Sequence, residues 1–483
     1  MSRPGPAVEF PTLEFVYFGL LTLTLSWLLR QTRTVQKGFL LAASYYFAWK
    51  WQPIFFATLV ASSLFNFGAG KLLLRHQGSK LAKPILTLAL IANLGLLGFF
   101  KYYGFFVDNL GALLSLLGLE AHLPLFEIIA PFGISFYTFQ SMAYLVDTHR
   151  KKAVQPKSLL DFLLFLAFFP KFGAGPICRS GDLLPQLAEP APKHIPELST
   201  AVALITTGLL KKMVMATYVA THLTTDAFLA PSSFSSAELV LAVFAYTAQV
   251  YLDFSGYTDL ARGIALLFGF RLPENFRYPY AATDIGDFWR RWHITFSTWL
   301  REYIYFPLGG SRDGRLRCYL NLMITFTACG IWHGPTWGYI VWGALHGVGL
   351  SVYKASLDIR RDLGIDTDAP QPFWWLALGW LATLSFCAFV RIFFVSSDFG
   401  VAMEYWRGLF AFTTEGRGFD LGVLFVTVVT LLSNFFGRRV FDRFVAWHDH
   451  LPALARPLAW AGILLFILTI RPFGMAATIY FGF

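Results

Sequence analysis

Apolar runs about twenty residues long recur along this sequence, and no other feature limits its fold so sharply. They fall at 15–29, 38–49, 53–70, 84–107, 125–146, 158–175, 197–222, 238–268, 316–333, 336–353, 373–395, 420–436 and 457–470. A helix of roughly 20 residues crosses the hydrocarbon core of a bilayer, so these runs are candidate membrane spans. Several are short enough to be re-entrant or interfacial, which leaves ten to thirteen helices. The alternation expected of an outer-membrane barrel is absent. Composition points the same way: only 14% of the 483 residues are charged, against about 25% in soluble domains. So few charges cannot cover a soluble protein of this size, whereas lipid needs no polar cover. The expected fold is all-α, a polytopic integral membrane bundle forming one domain over 1–483, with no soluble module.

The first apolar run has no basic segment before it and no small-residue cleavage site after it, so Phe15 to Leu29 reads as a retained helix. Cys178, Cys318, Cys329 and Cys387 form no C-x-x-C pair, which argues against a zinc site or a disulfide framework. The formal charge of +10 is explained by topology. Basic loops at 30–37, 71–83 and 147–157 alternate with an acidic one at 108–127 that holds Asp108, Glu120 and Glu127. Basic loops stay cytoplasmic, so the N-terminus is expected outside and no nucleic-acid role is called for.

The polar block 271–317 carries a surplus of arginine and is expected on the cytoplasmic side. Within it, 284–310 has helical periodicity, with Ile285, Phe288, Trp289, Trp292, Phe296 and Trp299 on one face. Asp284 and Asp287 suit its start. His293 falls at the edge of that face, beside Arg290 and Arg291, either incidental to an amphipathic anchor or at the lip of a polar cavity.

Ionisable groups at membrane depth are costly and face a partner or a cavity. Three sets qualify. Asp253, Tyr257, Asp259 and Arg262 lie in QVYLDFSGYTDLARG (249–263), where Asp259 and Arg262 are spaced to pair. Lys171 and Arg179 flank FGAGPIC, either meeting an anionic ligand or marking the membrane boundary. Glycine there permits close backbone approach. The third set is IWHGPTWGYIVWGALHG (331–347). Pro335 disfavours helix at Gly334, so the preceding span should end at His333, beside freed carbonyls. His346 lies in a continuing run next to Gly343 and Gly347, a G-x-x-x-G pattern that reads as close packing.

The sequence contains no nucleophile elbow, Walker loop, H-E-x-x-H or dinucleotide fingerprint. A histidine without metal partners can serve as a general base. Acyl transfer to a hydroxyl is thus a plausible class, and a non-catalytic transporter of an acyl donor or lipid is the rival.

The motifs PFGISFYTFQSMAYLVDTHR (131–150), GPICR (175–179), YLDFSGYTDLARG (251–263), NFRYPYAATDIGDFWRRWHITFSTWLREYIYFPLGGSR (275–312), IWHGPTWGYIVWGALHG (331–347) and IYFGF (479–483) together resemble the membrane-bound O-acyltransferase family, over a core of about 130–350. They are most similar to its bacterial branch of alginate O-acetylation and teichoic-acid D-alanyl transfer proteins. The resemblance implies a bundle with a central funnel or tunnel in the bacterial inner membrane. It implies His333 and His293 as catalytic. Trp332, Arg290, Arg291, Asp253, Asp259, Arg262, Tyr257, Asp287 and His346 are then candidates for substrate contact. It further implies acetyl-CoA as cytoplasmic donor, no metal, and an exported polysaccharide or a periplasmic SGNH-type acetyltransferase as recipient. A D-alanyl transfer protein would instead use an acyl carrier protein.

Overall fold

A computed structural model describes residues 12–119, 126, 128–367 and 369–472. Glu120, Glu127 and the 479–483 motif lie outside the described residues. The described residues are mostly helical, with no strand among them. Among the described residues seven helices are long and apolar enough to cross a membrane: Leu13–Gln31, Pro53–Arg75, Ala82–Leu116, Leu198–Leu229, Ser236–Leu267, Phe373–Val395 and Leu421–His450. Arg33–Trp51, Arg315–His333 and Trp337–Asp362 have the length but are more polar, and Ala455–Ile470 is shorter. The exterior of these helices is rich in exposed Leu, Phe and Trp, as a lipid-facing surface is.

The chain divides into two compact units, 1–205 with 257–273, and 206–256 with 274–483. In the first, Pro53–Arg75 packs on Ala82–Leu116 and on Ile134–His149. Asn66 and Asn93 exchange amide hydrogen bonds at 2.8 and 3.1 Å across the first of these contacts, a pair worth ~0.6 kcal/mol or more in lipid. Lys37 pairs with buried Asp161 at 2.5 Å.

The apolar run 158–175 is not one span. Ser158 caps a helix that ends at Ala167, and a short turn Phe169–Lys171 follows. Pro170 supplies no N–H and restricts Phe169, so the helix cannot continue. Gly175 then passes so close to Lys171 that a Cβ would lie 2.6 Å from its carbonyl oxygen. Lys171 is 2% exposed, bonds Gln140 and lies over the Phe165 ring.

In the second unit, Arg315–His333 and Trp337–Asp362 form an antiparallel hairpin. One end of the unit is tied by Arg315–Asp362 at 2.5 Å, Lys354–Asp358 at 3.2 Å and the Arg360 guanidinium over Trp375. The opposite end is tied by Asp226–Arg417 at 2.7 Å and by Ser236 on the Thr413 carbonyl at 3.1 Å. Arg315–His333 starts at the first end and rises about 27 Å along its axis, which carries His333 toward the second.

The continuous helix expected over 284–310 is also broken. Asp284 caps Ile285–Arg291 through the Asp287 N–H at 2.6 Å, as its sequence suggests. Ile294–Leu300 and a π-turn Arg301–Tyr305 come after His293, which has a left-handed backbone (φ 43°, ψ 53°). Side-chain periodicity does not report that reversal. Asn275 imposes it: its carbonyl accepts from Ile294 N at 2.9 Å, and its Oδ1 accepts from Thr295 N and Oγ1 at 3.3 and 2.9 Å.

Candidate active site

The second unit gathers three histidines among aromatic rings. His333 closes its helix because Gly334 continues as extended backbone (φ 178°, ψ 168°). It is buried, with Trp342 and Phe394 each 5.0 Å from its ring centre and Tyr339 at 6.2 Å. The hairpin can close this tightly because its helices cross at glycines. A Cβ on Gly330 would lie 2.2 Å from the Tyr339 carbonyl oxygen, and one on Gly343 2.3 Å from that of Phe326. Gly343 was legible as a packing residue. Gly330, three residues before His333, is the partner the pattern missed.

His346 is fully buried 4.7 Å from Trp342, so Trp342 touches both histidines. Its Nδ1 accepts from Trp289 Nε1 at 3.3 Å, which in the neutral ring assigns the proton to Nε2. His346 therefore belongs to the histidine cluster as well as to a packed helix face.

His293 is 1% exposed and does not sit at a solvent-facing lip. Its Nδ1 lies 3.1 Å from Asn275 Oδ1, an acceptor, so Nδ1 carries the hydrogen and Nε2 the lone pair. Burial pushes its pKa down to about 3, so the ring is neutral at physiological pH. Phe296 and Trp332 bridge it to His333. Their ring centres are 4.1 Å apart in a tilted contact, Phe296 is 5.1 Å from His293 and 6.3 Å from His333, and Trp332 is 6.2 and 4.6 Å away.

The other candidates have partners of their own. Asp287 receives Arg291 at 2.7 Å and Arg290 at 3.4 Å, and the Arg290 side chain is mostly exposed. This triad holds one end of a short helix and is not part of the histidine cluster. Asp253 is buried and paired with Lys212 at 2.6 Å. Lys212 lies on a π-turn, Leu210–Ala216, and was not singled out by pattern. Tyr257, Asp259 and Arg262 belong to the first unit. There Tyr257 donates to the Phe172 carbonyl at 2.6 Å, and Asp259 meets Arg262 at 4.0 Å, as their spacing suggests. No group of three or more metal-ligating side chains is assembled among the described residues, and the four cysteines are free and buried.

The sequence reading missed Asn275, Tyr280, Trp342, Phe394 and Arg391. Only Arg391 left a readable trace, as the single charge between 373 and 397. It is 4% exposed, donates from Nη1 to the Tyr280 hydroxyl at 3.1 Å and lies over Trp292 at 5.2 Å. Nearby, Thr224, Thr225, Phe228, Leu229, Tyr246, Gln249, Val395 and Ser397 line a cavity of about 190 Å³.

Residues 38–396 match the membrane-bound O-acyltransferase family model. The chain belongs to the membrane-bound O-acyltransferase family. This acyltransferase is 37% identical to a probable alginate O-acetylase of Pseudomonas putida, over 84% of the chain and 82% of that protein. It is 36% identical to a peptidoglycan O-acetyltransferase of Helicobacter pylori, over 77% of the chain and 73% of that protein. Similarity to a teichoic acid D-alanyltransferase of Bacillus subtilis is 27%, over 49% of the chain and 62% of that protein. The family and the helices together make this a multi-pass membrane acyltransferase.

Proposed function

We propose that this acyltransferase takes an acetyl group from acetyl-CoA on the cytoplasmic side of a bacterial inner membrane and delivers it to an acceptor hydroxyl on the other side. The acceptor hydroxyl belongs to an exported polysaccharide or to the serine of a periplasmic SGNH-type transferase. The observation that carries the reading is the position of His333 at a helix end, ringed by aromatic residues and linked through them to His293 and His346. The arginine-rich end of the second unit, with Arg315, Arg317, Arg360 and Arg361, suits the cytoplasmic face. His333 then lies toward the outer one.

In this reaction the imidazole of His333 removes the proton from the acceptor hydroxyl. The oxygen attacks the thioester carbonyl, and the tetrahedral intermediate collapses with loss of the CoA thiolate, which takes the proton back from His333. Aromatic walls keep water from competing for the acetyl group. His293, neutral and oriented by Asn275, contributes a fixed hydrogen-bonding ring beside the reacting atoms. Acetyl rather than D-alanyl transfer is favoured because the O-acetylases match more of the chain and at higher identity.

The test is transfer by purified protein in lipid, given labelled acetyl-CoA and acceptor oligosaccharides with and without an added SGNH-type enzyme. His333→Ala should insert and fold normally yet lose transfer by about a hundredfold or more, the contribution of a positioned base. Transfer at the normal rate in that variant would refute the mechanism. Loading from a D-alanyl carrier protein but not from acetyl-CoA would refute the donor.

A further inference from the structure

Within the second unit, the helices Trp337–Asp362, Phe373–Val390 and Phe399–Phe410 leave an apolar groove of about 750 Å³ between them. That volume is in the range of ~300–1,000 Å³ usual for small-molecule sites. Leu345 comes from the first helix, Phe386 and Phe389 from the second, and Met403, Trp406 and Phe410 from the third. Ser385 brings a hydroxyl to an otherwise hydrophobic lining. The Phe389 and Phe393 rings lie 5.9 and 6.3 Å from that of Trp406, so the wall continues from one helix to the next.

The three helices do not stand alike in the membrane. Phe373–Val390 is part of a candidate span. Phe399–Phe410, at 12 residues, is too short to cross. It sits at the end of the unit away from Arg315, where Ser236 Oγ donates to the Gly408 carbonyl at 2.7 Å. Its outer face mixes exposed Met403 and Phe410 with exposed Glu404 and Arg407, as in a helix lying in the membrane surface. The groove thus runs along a span and opens at headgroup level.

Two features of that opening select what fills it. Trp406 Nε1 is buried and meets no acceptor among the described residues, although a buried indole N–H normally finds one. Ester carbonyls are the acceptors a bilayer offers at that level. Arg407 follows Trp406 directly and is one helical turn from both Met403 and Phe410, so it rises beside the lining. It is exposed, and no acid pairs with it among the described residues. Glu404 lies about 60° further round the helix, so the charge at the mouth is positive.

We propose that this groove holds one anionic phospholipid of the leaflet on that side. An acyl chain lies along Leu345, Phe386 and Phe389, the ester region reaches Trp406, and the phosphate meets Arg407. A zwitterionic headgroup would bring its own cation against the arginine, which sets the preference for an anionic one. The lipid also backs the histidine cluster: Phe386 is 5.4 Å from His346, and Phe393 precedes Phe394, 5.0 Å from His333. This site does not depend on which acyl donor or acceptor the enzyme uses.

The experiment is photolabelling of full-length protein in phosphatidylcholine nanodiscs by trace phosphatidylglycerol carrying a diazirine on one acyl chain, with labelled peptides identified by mass spectrometry. Labelling should concentrate on 341–345, 385–393 and 403–410 over the lipid-facing helix Ala82–Leu116, where Leu88 is 66% exposed. Unlabelled phosphatidylglycerol should compete for the groove about fivefold better than phosphatidylcholine, the effect of one basic residue on an anionic lipid. Arg407→Gln should remove that advantage. Ser385→Trp fills the groove and should cut its labelling roughly tenfold or more, through loss of buried methylenes, while Ala82–Leu116 is labelled as before. Leu345→Trp, on a different helix, does the same if the serine variant is unstable. Equal labelling of the groove and Ala82–Leu116 would mean ordinary boundary lipid and overturn the proposal. So would competition blind to the headgroup, or a wild-type groove that takes no label because a second copy or another protein covers it.

Discussion

Gly330→Ala isolates the contact on which the position of His333 depends. The added methyl carbon would stand 2.2 Å from the Tyr339 carbonyl oxygen and 3.0 Å from Gly343 Cα. Both obstacles are backbone, so no rotamer change removes them. Relief requires the two helices of the hairpin to separate by about 1 Å, and a gap of that size forfeits a quarter to a half of each dispersion contact along the seam. Overpacking of this kind costs about 1–3 kcal/mol. Alanine's better helix propensity returns up to ~1 kcal/mol, so a net loss of up to about 2 kcal/mol is expected, and about 1–3 kcal/mol relative to a glycine replaced without a clash. Gly98→Ala is the control. It is helical, and a Cβ there meets nothing within 4 Å, so only the propensity gain should remain. Unfolding of the purified proteins in mixed micelles by a denaturing detergent, followed by tryptophan fluorescence, gives both values. Transfer activity should fall in Gly330→Ala, because Trp342 and Tyr339 move away from His333 with the second helix. If Gly330→Ala proves as stable as Gly98→Ala and fully active, the close crossing does not set the site.

Two further perturbations separate architecture from chemistry. At His293 the left-handed backbone costs alanine about 1–2 kcal/mol but asparagine much less, so His293→Asn should unfold at higher denaturant than His293→Ala while both lose activity. The same histidine sets an acid sensitivity. Its folded pKa of about 3 lies below the unfolded value, so its stabilising effect is complete above the unfolded pKa of roughly 6.5. That effect is lost as the pH falls from there toward 3, at up to about 1.4 kcal/mol per pH unit. His293→Asn should flatten this slope, and an unchanged slope in acid titrations would count against it. For the Lys212–Asp253 pair, either Lys212→Met or Asp253→Leu alone should cost about 3–5 kcal/mol by leaving one charge buried, whereas the double variant should recover most of that. A double-mutant cycle that shows no coupling would mean the pair is not what holds these segments together.

Those perturbations also mark where sequence reading stops. The placement of most long helices was legible because apolar length is a local property that a bilayer fixes. The end of a helix at His333 was legible for a similar reason: Gly334 and Pro335 act on their own neighbours. Asp284 as a cap and Asp259 with Arg262 as an i,i+3 pair were likewise visible, since each interaction spans a few residues. The break at His293 was hidden, because Asn275, eighteen positions away, enforces it while the apolar spacing runs on as if helical. The break after Ala167 was overlooked although Pro170 signals it, since unbroken hydrophobicity masked the proline.

By itself the sequence determined that this chain lives in a membrane, that it is built of helices, and that an imidazole stands at a helix end among aromatic residues. Hydropathy, backbone restriction and residue chemistry act over short distances, so a linear string records them. Tertiary structure alone decided that His346 joins His333 through Trp342, that Asp253 is neutralised by Lys212, and that Arg391 is left with only neutral partners. Each depends on which helix faces which, and that choice is made by close contacts such as Gly330 on Tyr339 between residues whose pairing the sequence does not state.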